Sequence, residues 1–398
     1  MLAERAKFSF SRLALILALV LASASHTPAP QSKDEWSGVA RIVAIGDVHG
    51  AYDEFVEILK ETKLIDNKLQ WIGGNTHLVQ TGDVLDRGTS DKKVMDLLMA
   101  LEEQAGKAGG RVHALTGNHE AMNIIGDLRY VSKETYAAYA GPKSEEMRER
   151  AYKEYLDYLR DRAKKSNRPS PAPTEEFKQQ WLLKHPLGYF EQRGAFEANG
   201  KYGRWVSNHN AVVKINDMVF VHGGISEAVS TSSVREINER IRQELGNFQQ
   251  LRNKLIQTGV IKGFFNLDEI LEQVKIEVAD LKGRKGPEDA AMRELESILS
   301  IGGWYISHSD GPLWYRGYNT EQEDSFNSAL SKILSNLKAK YIVVGHTPFP
   351  KGIASKWSGK VFLIDTGMLR SYYQGRCSAL VIEKDKFTTV YPANGPCS

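Results

Sequence analysis

Five short apolar stretches of this sequence run straight into residues that bind metals or move protons. Arg41–Ile45 leads into Gly46-Asp47-Val48-His49-Gly50, His77–Thr81 into Gly82-Asp83-Val84-Leu85-Asp86-Arg87-Gly88, and Val112–Thr116 into Gly117-Asn118-His119-Glu120. Met218–Val221 leads into His222-Gly223-Gly224, and Tyr341–Val344 into Gly345-His346-Thr347-Pro348. The candidate ligands are Asp47, His49, Asp83, Asn118, His222 and His346, with Asp86, Arg87, His119 and Glu120 beside them in sequence. All offer oxygen or imidazole nitrogen, which suits manganese, iron or zinc better than thiophilic metals, and their number fits two divalent ions sharing one carboxylate. Two ions held about 3.5–4 Å apart bring the pKa of a bridging water towards neutrality and clamp both oxygens of an in-line phosphoryl displacement. The glycines let the chain turn sharply without blocking what the side chains hold.

Something must carry these residues to one place. Helical patterns at Asp53–Glu61 and Lys92–Gln104 separate the first three strands, so the opening half reads as β-α-β-α-β and predicts a largely parallel sheet. Ligands of open α/β sheets bind beyond the carboxyl ends of the strands, where these motifs fall. Asn216-Asp217 between Val212–Ile215 and Met218–Val221 signals a hairpin, and Val361–Ile364, Ser378–Glu383 and Phe387–Tyr391 add strands, with a turn at Lys384-Asp385. A second sheet packed on the first follows, giving an α/β fold of two packed mixed sheets flanked by helices. Two segments, about 134–200 and 227–300, interrupt this pattern with helical periodicity, strongest at Val234–Leu245 and Leu267–Leu281, and with a proline-rich break at 169–173. Both are read as helical insertions into one catalytic domain, 39–398, because the motifs lie on either side of them. The charged run Ser144–Lys165 reads as a solvated helix face.

In order and spacing, the five motifs resemble the signature blocks of the phosphoprotein phosphatases within the calcineurin-like metallophosphoesterases, over roughly residues 40–392. Tyr202-Gly203-Arg204-Trp205, Pro312-Leu313-Trp314-Tyr315-Arg316-Gly317 and the insertions are most similar to the Shewanella-like branch. The resemblance implies a four-layer sandwich and a di-metal phosphomonoesterase acting by metal-bridging hydroxide, with manganese as the expected ion and iron or zinc as alternatives. Asp47 and His49 would bind the first metal, Asp83 would bridge, and Asn118, His222 and His346 would complete the second. It implies that Arg87 holds phosphate oxygens through its planar fork. His119 would protonate the leaving oxygen, with Asp86 orienting the imidazole. Arg316 is matched to a second phosphate-binding arginine by its place between the His222 and His346 blocks, and Glu120 looks structural. Asp365, in Ile364-Asp365-Thr366-Gly367, reads as a turn residue before a partner of the ligands. Trp304, Trp314 and Tyr315 could line a groove or fill the core. His77, His113, His185, His209 and His308 receive no ligand role.

The expected substrates are phosphorylated protein side chains or small phosphoesters; the branch leans towards phosphotyrosine. Gly345-His346-Thr347-Pro348 and Ile364-Asp365-Thr366-Gly367 also resemble blocks of the diadenosine tetraphosphatases, which leaves a dinucleoside polyphosphate hydrolase as the alternative. A phosphoprotein-binding module without catalysis would lack a ligand or the acid, and none is missing.

The rest of the chain sets the context. Its 398 residues are 41% hydrophobic and 25% charged, enough for a sizeable core, and the net charge of +3 does not point to nucleic acid. Arg5, Lys7 and Arg12 before the apolar run Leu13–Leu21 and the small residues Ala22-Ser23-Ala24 read as a signal peptide over residues 1–24, followed by a loose lead-in at 25–38. Export is expected, with no stable membrane span after cleavage, since the run is shorter than the roughly 20 residues a spanning helix needs. Cys377 and Cys397 are the only cysteines, too few for a zinc ribbon or an iron–sulfur site. A disulfide between them would stabilise by about 3 kcal/mol. Oligomeric state is not written in the sequence.

Overall fold

A computed structural model of the chain describes residues 33–165, 169–170, 172–282, 289–384 and 386–392. Eleven strands are present among them: β1 (Glu35–Trp36), β2 (Arg41–Ile45), β3 (His77–Gln80), β4 (Arg111–Ala114), β5 (Val212–Ile215), β6 (Met218–Val221), β7 (Tyr341–Val344), β8 (Ala354–Lys356), β9 (Val361–Leu363), β10 (Ala379–Glu383) and β11 (Lys386–Val390). They form two mixed sheets. One has the order β11-β10-β2-β3-β4, in which β2, β3 and β4 are parallel and β10 and β11 antiparallel. The other has the order β1-β5-β6-β7-β9-β8, in which β6, β7 and β9 are parallel. The parallel strands follow from their crossovers: the helices Tyr52–Glu61 and Asp91–Lys107 lie between β2, β3 and β4 and return the chain to the same end of the sheet.

Side-chain alternation explains the layering. Ile42 and Ala44 of β2 belong to the apolar layer that includes Phe220, Val343, Phe362 and Leu380 from both sheets, whereas Val43 and Ile45 belong to the cluster shared with the flanking helices. Each fully buried Val, Leu or Ile side chain among these contributes about 1.5–3 kcal/mol. The insertions share that second cluster through Tyr152, Trp181, Tyr189, Phe248 and Ile270, so they pack on the same core as the motif-bearing strands. The helix Ser144–Lys165 carries surface ion pairs such as Arg148–Glu145 and Arg160–Asp157 on its outer side and buries Ala151, Tyr152 and Tyr158.

Some sequence expectations need correction. The lead-in 25–38 is not loose throughout: β1 pairs in parallel with β5, and its Trp36 packs edge-on against His113 at 4.4 Å. Strand β8, against β9, was not expected either. The signal segment 1–24, Asp385 of the expected turn and Cys397 of the proposed disulfide lie outside the described residues; Cys377 itself is buried. No helix among the described residues is long and apolar enough to cross a membrane.

Candidate metal centre

The six strands β2, β3, β4, β6, β7 and β9 end at the junction of the two sheets, and each delivers a polar side chain there. Asp47 and His49 follow β2, Asp83 follows β3, and Asn118 opens the helix Asn118–Ile125 after β4. His222 follows β6, His346 follows β7, and Asp365 follows β9. All seven are at most 4% exposed. The loops close in because glycine leaves room: a Cβ on Gly345 would stand 2.4 Å from Asp47 Oδ1, and one on Gly117 would stand 2.3 Å from Asp83 Oδ1.

Asp83 is the hub. Its Oδ2 lies 3.8 Å from His49 Nε2, 3.7 Å from His119 Nε2 and 3.3 Å from His222 Nε2. Its Oδ1 accepts the His119 backbone N–H at 2.9 Å. Around His222 Nε2 stand Asn118 Oδ1 at 2.9 Å and His346 Nδ1 at 3.1 Å. The ring orientations are set from behind: His49 Nδ1 donates to the Leu85 carbonyl at 2.7 Å and His222 Nδ1 to the Thr81 carbonyl at 2.9 Å. In the neutral imidazole this turns the Nε2 lone pair of each into the pocket, as a metal ligand requires. Asp47 Oδ1 accepts the His346 N–H at 2.9 Å, while its Oδ2 is buried with no hydrogen-bond partner.

Most of the atoms that face into this pocket are acceptors. Burial, with Asp365 and Asp83 nearby, holds the Asp47 carboxyl well above the usual range. Burial also pushes Asp365 up to about 6. Burial opposes ionisation of Asp83 too, but His222 and His119 outweigh it and hold that carboxyl well below its usual value. Burial pushes His49 down to about 3 and His346 well below its ordinary value, keeping both rings neutral and able to coordinate. Carboxylates and lone pairs facing one another at 3.3–3.8 Å, with orphaned atoms at Asp47 Oδ2, His346 Nε2 and Asp365 Oδ2, fit divalent cations as the missing positive charge. Two overlapping donor groups are present, His49, Asp83 and His119, and Asp83, His222 and His346.

Beside this centre, His119 Nδ1 meets Asp86 Oδ2 at 2.6 Å, and its Nε2 is buried without a partner. Burial alone would lower the basicity of this ring; Asp83 and the hydrogen bond to Asp86 outweigh it and raise it. Arg87 donates from Nη1 to His49 Nε2 at 2.8 Å and to the Tyr373 hydroxyl, with its guanidinium 5.1, 5.5 and 5.4 Å from the rings of Tyr130, Tyr372 and Tyr373. Arg316 Nη1 donates to the His346 carbonyl at 3.2 Å and to Thr347 Oγ1 at 3.1 Å, which places it at the same rim. Glu120 is the pin of the arrangement: Oε2 accepts the N–H groups of Asp83 and Gly117 and Oε1 that of Val84, at 2.8, 2.8 and 2.9 Å.

Asp365 keeps its reading as a turn residue and also stands at the site. Its Oδ1 does accept the Gly367 N–H at 2.9 Å, but the side chain is 1% exposed and stands beside Asp47. Trp314 reaches the site, its ring 5.7 Å from that of His346, whereas Tyr315 packs on Tyr318 and Trp304 against the core. The histidines given no ligand role lie elsewhere: His77 bonds His113 at 3.0 Å, His185 stacks on Trp181 at 4.1 Å, His209 pairs with Glu102 at 3.0 Å, and His308 is 47% exposed. Sequence reasoning missed Tyr130, Tyr372 and Tyr373 around Arg87, and Asn123, whose Nδ2 lies 3.2 Å from both oxygens of Asp86.

Residues 40–350 match the sequence model described as "Calcineurin-like phosphoesterase". Shewanella-like protein phosphatase 2 of Arabidopsis thaliana is 28% identical over 89% of this chain and 78% of its own length. Shewanella-like protein phosphatase 1 of Plasmodium berghei is 28% identical over 89% of this chain and 75% of its own. Among solved structures, the cold-active protein-tyrosine phosphatase of a psychrophilic Shewanella species superposes with a TM-score of 0.58 at 25% identity, covering 91% of this chain and 80% of that one.

Proposed function

This chain belongs to the calcineurin-like phosphoesterase family and is a metal-dependent phosphatase, and from that premise we propose that it hydrolyses phosphomonoesters on protein side chains, phosphotyrosine foremost. The observation that carries this reading is the seating of Arg87, with a phosphate-binding fork next to His49 and Asp83 and three tyrosine rings around it. The guanidinium pairs with phosphate oxygens, and the exposed rings of Tyr130 and Tyr372 offer an aryl ester a surface to lie on. The Shewanella protein-tyrosine phosphatase supports the same substrate class.

The roles follow from the atoms. Asp47, His49 and Asp83 would hold one cation, and Asp83, Asn118, His222 and His346 the other, with manganese the proposed ion for this oxygen-rich set. Bound there, the ions supply a water acidic enough to attack phosphorus near neutral pH and a positive clamp on the phosphoryl oxygens. Arg87 and Arg316 hold the remaining oxygens in line. His119 directs Nε2 into the pocket, and Asp86 on Nδ1 stabilises the imidazolium, so the proton passes from Nε2 to the leaving oxygen as its bond to phosphorus breaks. Water supplies the oxygen of the new P–O bond, and the products are inorganic phosphate and the free hydroxyl. Residues 1–24 are proposed to direct export, which N-terminal sequencing of the secreted chain beginning at Ser25 would check.

A panel of phosphotyrosine, phosphoserine and phosphothreonine peptides, assayed on chelator-treated and manganese-reconstituted protein, tests the reading. Turnover should require the added metal and favour phosphotyrosine. Turnover that survives complete metal removal would sink it, and equal rates on all three peptides would remove the aryl preference.

A further inference from the structure

The helical insertion at 134–200 reaches the pair Asp86 and His119 from behind. Asn123 Nδ2 donates to Asp86 Oδ1 and Oδ2, both at 3.2 Å, and to the His119 carbonyl at 3.0 Å. A carboxylate and a carbonyl can only accept, so the amide nitrogen must face them and Oδ1 must face away. Behind it, Gln192 Nε2 donates to that Oδ1 at 2.7 Å, and Arg193 Nη1 donates to the Asn123 main-chain carbonyl at 2.8 Å. Gln192 and Arg193 are consecutive residues of the helix Tyr189–Ala195, and Asn123, Gln192 and Arg193 are 1%, 1% and 3% exposed. Arg193 also reaches the end of the helix Asn118–Ile125, where a Cβ on Gly126 would meet its Nη2 at 3.1 Å, and a cation is favourable at a helix C-terminus.

We infer that Gln192 is a positioning residue for proton delivery, acting through the chain Gln192, Asn123, Asp86 and His119. This rests on the reading of His119 as the acid. The Asp86 carboxylate and the His119 carbonyl set which way the Asn123 amide faces, and Gln192 anchors its other end. Without Gln192, Asn123 Oδ1 is left buried without its donor, so the amide shifts to regain a partner, and Asp86 and the imidazole that Asp86 orients shift with it. Arg87 is seated by His49 and by the rings of Tyr130, Tyr372 and Tyr373, contacts that lie outside this chain. The insertion therefore does more than cover the core: it completes the support of the acid from outside the two sheets.

The experiment compares phenyl phosphate with p-nitrophenyl phosphate on the manganese-reconstituted full chain. Phenolate is the poorer leaving group and depends more on protonation. The ratio of the two kcat/KM values is taken within one preparation, so a loss of folded protein cancels. Gln192→Leu should lower the phenyl to p-nitrophenyl ratio by about fivefold or more, a fraction of the 10²–10⁴ that a general acid supplies. Gln192→Met, unbranched, should do the same. In an Asp86→Asn background Gln192→Leu should add no further change in the ratio, since the chain is already cut. His119→Asn is the reference. If it lowers the ratio while Gln192→Leu and Gln192→Met leave it at the wild-type value, the positioning role is overturned and the acid survives. If His119→Asn leaves the ratio unchanged, the acid reading fails and the chain with it.

Discussion

Replacing Asp365 with Asn should stabilise the metal-free protein while weakening its hold on cations. Asp365 is buried beside Asp47, and burial pushes its carboxyl from 3.8 up to about 6. A carboxyl whose folded value lies above its unfolded value takes up a proton on folding between those limits. The stability this confers is complete below pH about 4 and is lost as pH rises through about 6. At 1.36 kcal/mol per pKa unit the loss is about 3 kcal/mol by pH 7.5. Asn cannot ionise, its oxygen can keep the bond from the Gly367 N–H, and its amide can donate to the orphaned Asp47 Oδ2. Urea unfolding of chelator-treated protein, with the slope against denaturant unchanged, should therefore place the variant up to about 3 kcal/mol above wild type at pH 7.5 and close to it at pH 4. Manganese should then reverse the order of benefit. A ligand at a hundred times its Kd stabilises by about 2.7 kcal/mol per site, and the variant, with one negative charge fewer beside Asp47, should gain less than wild type at equal manganese. A metal-free Asp365→Asn protein less stable than wild type at pH 7.5 by more than about 1 kcal/mol would refute the reasoning.

Other changes separate the parts of the site. Asp83→Asn alters the one carboxylate whose oxygen faces both His49 and His222, so elemental analysis should show lost metal and turnover should fall by well over the roughly 100-fold attributed to outer partners alone. Arg87→Lys keeps the charge but loses the planar fork and its seat among Tyr130, Tyr372 and Tyr373. Its kcat/KM on p-nitrophenyl phosphate should fall by about 10- to 100-fold, and an unchanged value would remove Arg87 from phosphate binding. His185, stacked on Trp181 and pushed down to about 4 by burial, binds fewer protons folded than unfolded, so wild type should lose about 3 kcal/mol as pH falls from 6.5 to 4. His185→Phe should flatten that decline in urea titrations run across the same pH range, at the cost of the hydrogen bond to the Trp181 carbonyl, about 1 kcal/mol at neutral pH.

What the sequence revealed and what it hid have separate physical causes. Strands β2, β6 and β7 could be read to the residue because each has four consecutive apolar positions that stop at a glycine or a candidate ligand, and a strand buried on both faces leaves that trace; β5 was read from the Asn216-Asp217 turn that follows it. Strand β1 has two residues and β8 three, too short to carry a period, and each is held by its neighbour's ladder. The candidate ligands were legible because each follows its strand within a few residues. The tyrosines around Arg87 were not, since Tyr130 lies in a turn and Tyr373 in the short helix Arg370–Tyr373, far apart in sequence, and they converge only in the fold. Asn123 had a weaker trace: it lies four residues after His119 on one helix, a spacing that puts both on the same face. Gln192 had none.

Asp365 shows a subtler limit. A turn needs an acceptor at that position and a candidate cation site needs a carboxylate, and Asp365 offers Oδ1 to the Gly367 N–H while its Oδ2 is left without a partner, so the motif cannot separate the two uses. The backbone can. His49, Asp83, Asp86, Arg87 and His346 all have positive φ, at 47°, 57°, 66°, 66° and 68°, a region that side-chain-bearing residues seldom occupy. Glycine would relax each of these turns, yet would bring no ligand, acid partner or phosphate fork. The strain is held by buried acceptors: Glu120 binds the N–H groups of Asp83 and Val84, Asp91 binds that of Asp86, and Asp47 binds that of His346. Local preference and chemistry conflict at these positions, and a web of carboxylate-to-amide bonds lets the chemistry prevail.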